Sequence, residues 1–81
     1  MTPEEQAALM VADPGWDFAD SPTSAISQAS ISAATAYGNG HLDQAKFWTE
    51  VGLRLVVAAG NPHVKVGASL AELAETLGVR V

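Results

Sequence analysis

Chemistry in a short chain needs reactive side chains at workable spacing, and few are present here. The nearest set is His41 and Asp43, with His63 further along. Two imidazoles and a carboxylate are zinc-type donors, but catalytic zinc takes three protein ligands, commonly at a spacing such as H-x-x-x-H. That spacing is missing, so these read as a histidine at a helix start and a solvated loop histidine. Serine is abundant, yet no G-x-S-x-G elbow presents one as a nucleophile. A chain of 81 residues also leaves little room for a water-excluding pocket. Gly38-Asn39-Gly40 follows a helical pattern rather than a strand, and no Lys-Ser or Lys-Thr comes after it, so it lacks the form of a phosphate loop. The residues nominate no catalytic group, no metal and no cofactor, and the expectation is a protein that is not an enzyme.

Recognition has better candidates. The stretch DPGWDFAD, Asp13 to Asp20, sets Trp16 and Phe18 among three aspartates. Tryptophan is strongly enriched at binding hot spots, so Trp16, Asp17 and Phe18 are candidates for an acidic-aromatic contact loop. The competing reading makes the two rings plugs over a helical core. The second candidate is the run from Ser21 to Leu42, which holds no Asp, Glu, Lys or Arg. Winding it at 100° per residue puts Ala25, Ala29, Ala33 and Ala36 on one arc, beside Ile26 and Tyr37. Ser24, Gln28, Ser32 and Thr35 take the other side. Alanine at every fourth position lets a second backbone approach closely. Ala25, Ala29, Ser32 and Ala33 are therefore candidate partner-binding residues, with a fully internal helix as the alternative.

These candidates must be positioned by a small scaffold. The chain is of single-domain size, and at this length it buries only about 60–65% of the surface its unfolded form exposes. It has no cysteine to staple it. Only 16% of its residues are charged, against about 25% in a typical globular protein. The surface must be covered by small polar residues, or part of it must be hidden. The net charge is −5, and Lys46, Arg54, Lys65 and Arg80 are scattered singly. Nucleic-acid binding begins with a basic patch, and none is visible. Membrane-surface helices are likewise basic. Glu4 and Glu5 stand where a signal peptide would carry Lys or Arg, and the apolar run Val51 to Gly60 is interrupted by Arg54, far short of a membrane span. The expectation is a cytoplasmic protein without a nucleic-acid or membrane partner.

The sequence predicts three main helices and a short fourth. Thr2-Pro3-Glu4-Glu5 is a capping box with proline at the first helical position, and opens a helix to about Ala12. Its apolar residues bunch from Ala8 to Ala12, so its last turn is expected to dock. Asp13-Pro14-Gly15 stops it. Ser21-Pro22 repeats the cap-plus-proline start, and the second helix runs to about Tyr37, where Gly38-Asn39-Gly40 ends it. The third runs from His41 or Leu42 to Ala59, with Gly60 as its C-cap. Its polar strip is Asp43, Lys46, Glu50 and Arg54, the last two in the favourable i,i+4 order. The rest is apolar over an arc of about 240°, where one-sided packing needs about 100°. It is either central or has a spare face for a partner. Ala45 and Gly52 on it can receive the alanine face of the second helix. His63 to Val66 alternates like a strand. Ser69 and Glu72 form a second capping box for a fourth helix, striped by Leu70, Leu73, Ala74 and Leu77 and ended by Gly78. Val79 to Val81 could pair with Val64 to Val66.

That last stretch carries two resemblances. SLAELAETLGV resembles the first helix of a DNA-binding helix-turn-helix, with Ala74 at the helix crossing and Gly78 at the turn. The resemblance implies a recognition helix beyond Gly78, after which only three residues remain. VKVGASLAELAETLGVRV resembles the first half of a LysM peptidoglycan-binding module, which implies a second helix and strand to complete a βααβ unit. The centre, AYGNGHLDQAKFWTEVGLRL, resembles one hairpin of a helical repeat protein, whose arrays need about three repeats. No functional residue transfers from any of the three.

The reading is an all-α single domain over residues 1–81 with a possible small strand pair at the C-terminal end. Its expected role is non-catalytic: a protein-interaction module acting as a homo-oligomer, or as a subunit, inhibitor or assembly factor on a larger protein. A chain of this size would suit the compact genome of a phage or mobile element. The alternative is a regulator related to helix-turn-helix proteins with an incomplete DNA-reading unit.

Overall fold

Caps and breakers divide the described residues into four helices: α1 (Pro3–Ala12), α2 (Pro22–Gly38), α3 (Leu42–Ala59) and α4 (Ala68–Leu77). The structure, a computed structural model, describes residues 1–60 and 68–81. No strand occurs among the described residues. Val79 to Val81 form no regular element, and Val64 to Val66 lie outside the described residues. The protein is an all-α bundle.

The predicted starts and stops have concrete hydrogen bonds. The Glu5 amide donates to Thr2 Oγ1 at 3.1 Å, and the Thr2 amide donates to Glu5 Oε1 at 2.9 Å, closing the box at α1. Asp13 ends α1 in the extended conformation that a following proline imposes. At the end of α2 the left-handed residue is Gly40, while Asn39 stays right-handed. The His41 amide reaches back to the Ala36 carbonyl and the Gly40 amide to that of Tyr37, the paired bonds of a Schellman motif. The same pair ends α4: Val79 to Ala74 and Gly78 to Glu75, with Gly78 left-handed.

Two helix starts differ from expectation. Ser21 is the N-cap of α2, but its side chain caps no amide and lies 3.3 Å from the Ser24 hydroxyl instead. The third helical position there is Ser24, so no Glu or Gln completes a box. The fourth helix begins at Ala68, one residue before the expected cap, so Ser69 lies inside it.

Helix α3 is central. It packs against α1, α2 and α4, and α4 also packs against α2. Shared clefts give the directions. Thr35 of α2 shares a cleft with Gln44 of α3, and Gln28, further back on α2, shares it with Trp48, further on along α3, so α2 and α3 are antiparallel. Pro3 of α1 lies by Phe47, and Val11 lies by Ala58 and Ala59, so α1 runs with α3. The wide apolar arc of α3 is thus used on three sides of one chain. Its interior is Val51, Leu55, Ala45 and Gly52, all buried. Thr49 is buried too, its hydroxyl donating to the Ala45 carbonyl at 2.7 Å. The α2–α3–α4 junction is tight at Gly52: a Cβ there would sit 3.0 Å from Leu70 Cδ2 and 3.5 Å from Ala29 Cβ. Leu70 fills the space that glycine leaves, and the leucine stripe of α4 closes over this seam.

Candidate interaction surface

The predicted partner residues divide between core and surface. Ala25, Ala29 and Ala33 are completely buried, and Phe18 is 7% exposed. All four are already covered by the chain's own helices, Ala29 against the Gly52 backbone. Phe18 plugs the core beside Met10 and Ile26. Trp16 is half-buried, packed against that core with part of its ring outside. Asp17 is exposed, and Ser32 is half-buried. Ser32 accepts from Gln28 Nε2 at 3.3 Å, on the outer side of α2. The alanine arc is therefore an internal seam, and the open part of the nominated set is Trp16, Asp17 and Ser32.

His41 and Asp43 lie in different clefts. His41 lies in a cleft with Gln28, Thr35 and Trp48, whereas Asp43 lies in another with Lys46, Phe47 and Arg80. His63 is outside the described residues. Among the described residues, no three His, Asp or Glu side chains come together, and no helix is long and apolar enough to cross a membrane.

The loop carrying Trp16 is a chain of turns. Asp13 Oδ1 accepts from the Gly15 amide at 2.8 Å, an Asx turn. The Trp16 amide donates to the Asp13 carbonyl, and the Asp17 amide to that of Pro14. Asp17 then takes φ of 49°, the left-handed region that Asp and Asn tolerate better than other side-chain-bearing residues. Its carbonyl accepts from Asp20 and Ser21. The reversal throws Phe18 inward and leaves the Asp13, Asp17 and Asp20 side chains outside.

Sequence reasoning missed the residues beside this loop. The last turn of α1 does not dock as a unit: Ala7 and Met10 face the core, while Leu9 is 54% and Val11 41% exposed. The signal was available, because five consecutive apolar residues go all the way round a helix, and a helix packed on one side must leave some of them outside. Leu9, Met10, Ala12, Pro14 and Trp16 line an apolar hollow of about 500 Å³, with Gln6 and Asp13 at its polar edge. On the other side of α1, Val11 and Phe18 line a second hollow.

The charge is segregated toward the same edge. Glu4, Glu5, Asp13, Asp17 and Asp20 precede the first basic residue of the sequence, Lys46. The remaining acids, Asp43, Glu50, Glu72 and Glu75, are matched in number by Lys46, Arg54, Lys65 and Arg80. Counted over side chains, the formal −5 is thus contributed by residues 4–20, with the Met1 ammonium acting on Glu5 at their start. Arg54 is taken by Glu50 at 2.8 Å, and Lys46 and Arg80 share the cleft of Asp43 and Glu50.

No family model, curated protein or solved structure matches the chain. The reading of its surface rests on its own geometry.

Proposed function

We propose that this is a non-catalytic protein-interaction module of the cytoplasm, acting as a small subunit or inhibitor bound to a larger protein. The observation that carries the reading is the hollow at the end of α1. A chain this small gains most by burying its large apolar side chains, yet Leu9 and part of Trp16 stay in water around one depression. Such an apolar depression with a polar edge is the form of a contact site. A photo-crosslinking residue at position 9 in host cells is expected to give discrete adducts with a larger protein, and the same residue at position 75 is not. Equal background at both positions would overturn the reading.

A homo-oligomer is the second form of the same module. It is favoured by the outer face of α2, where Ile31 is 60% exposed among uncharged neighbours. A face without charge does not repel its own copy. Light scattering separates the two forms: a dimer abolished by Ile31→Glu supports self-association, and a concentration-independent monomer supports the subunit reading. The regulator related to helix-turn-helix proteins has less support, since Lys46 and Arg80, the basic residues that share a cleft with the end of α4, share it also with Asp43 and Glu50. It requires a mobility shift with duplex DNA at low salt.

A further inference from the structure

The partner's chemistry can be taken one step further, resting on the reading that the α1 edge is a contact surface. We propose that the hollow between α1 and the 13–21 loop receives a cationic amphipathic segment of another protein. Its apolar anchors would pack on Leu9, Met10 and Trp16, and its lysines or arginines would face Asp13, Asp17 and Asp20.

Three observations converge on this occupant. The hollow is apolar on its floor and takes in no basic residue: its lining is Gln6, Leu9, Met10, Ala12, Asp13, Pro14 and Trp16. The loop that forms one wall carries three exposed carboxylates, of which Asp13 borders the hollow, and its backbone is fixed by its own turns rather than by cations. No basic residue precedes Lys46 in the sequence, so none stands on α1 or this loop. An apolar floor selects for anchoring side chains, and the acidic wall selects the sign of what surrounds them. Complementary charge of this kind steers approach and excludes wrong partners more than it adds affinity. A second copy of the same edge would bring three aspartates against three. A neutral apolar peptide would leave the carboxylates without partners.

The aspartates can be tested without disturbing the loop. Asparagine preserves the Asx turn at position 13 and tolerates the left-handed backbone at position 17, so Asp13→Asn, Asp17→Asn and Asp20→Asn together remove charge and keep shape. The probe is a short, fluorescein-labelled amphipathic peptide of leucine and lysine, beside its leucine and glutamate counterpart. Fluorescence anisotropy is expected to show binding of the lysine peptide only, weakened about tenfold by the triple asparagine variant, as expected for losing several exposed ion pairs. Binding should weaken as salt rises, and Leu9→Ser should reduce it independently. Amide shifts in NMR spectra should concentrate between Gln6 and Ser21. Equal binding of both peptides, no effect of the asparagines, or shifts centred on α2 would each overturn the assignment. Discrete crosslinks from position 9 combined with failure of the lysine peptide would reject this partner chemistry alone and leave the interaction reading standing. Absence of crosslinks would reject that reading itself.

Discussion

Single residues set the conformations that the surface depends on. Asp17 holds a left-handed backbone, which costs a β-branched residue about 1–2 kcal/mol. Asp17→Val should lower stability by roughly that amount in urea titrations, whereas Asp17→Asn and Asp17→Gly should stay near the parent. Thr49 illustrates the converse. Its buried hydroxyl bonds back to Ala45, a carbonyl that helix geometry already supplies with an amide. Thr49→Val keeps the volume and removes both the hydroxyl and its need for a partner, so its effect on stability should stay within about 1 kcal/mol. Glu5 gives a pH dependence. The Thr2 amide, followed by the Thr2 hydroxyl, holds its carboxyl below the ordinary value. A depressed folded pKa means stability that is present above the unfolded glutamate value and is lost as pH falls through the lower folded one. Glu5→Gln, which removes the titrating group, should flatten the acid limb of the stability curve, as read by thermal melts across mildly acidic pH.

At the scale of elements, the α2–α3–α4 seam is the most constrained. Ala29, Gly52 and Leu70 meet where a Cβ on glycine has no room. Gly52→Val should destabilise by about 2–3 kcal/mol through overpacking. Leu70→Ala in the same chain should return part of the loss, a positive coupling in a double-mutant cycle that denaturant unfolding can measure. This seam was only partly legible in the sequence, because alanines four apart opposite Ala45 and Gly52 suit an internal crossing and a partner's approach alike, and their complete burial decides between them. Helix boundaries were legible too, wherever proline, glycine or a reciprocal cap marked them. Ser21 shows the limit. A serine before a helix specifies a cap only when the turn leading into it places the side chain, and the Ser21 amide is held by the Asp17 carbonyl in a turn that does not. The burial of Phe18 against the partial exposure of Trp16 was not legible either. Which ring turns inward depends on the reversal at Asp17, a backbone state that aspartate permits without announcing.

The whole molecule is small enough for one core residue to matter. Domains have about 0.05–0.15 kcal/mol of stability per residue, so 81 residues amount to roughly 4–12 kcal/mol. Leu55 is completely buried at the centre. Leu55→Ala should remove about 3 kcal/mol and lower Tm by roughly 15 °C in calorimetry. Val57, two residues on and 70% exposed, should tolerate Val57→Ser with little change. The sequence told that α3 was either central or double-faced, and only the placement of α1 beside it decides for central. The open edge could not be read from composition, since it arises when a uniformly apolar turn is packed on one side only.

The segregation of charge gives the molecule a polarity of its own. Five of the nine carboxylates and none of the four basic side chains stand on α1 and its loop, so the side-chain charge of this particle, 33 Å long, is set off-centre. In the field of a cationic surface such a particle experiences a torque as well as a pull, so it turns its α1 edge forward before contact. Collisions are then pre-oriented, and the share that are productive depends on ionic strength even where the final complex is held mainly by leucine and tryptophan.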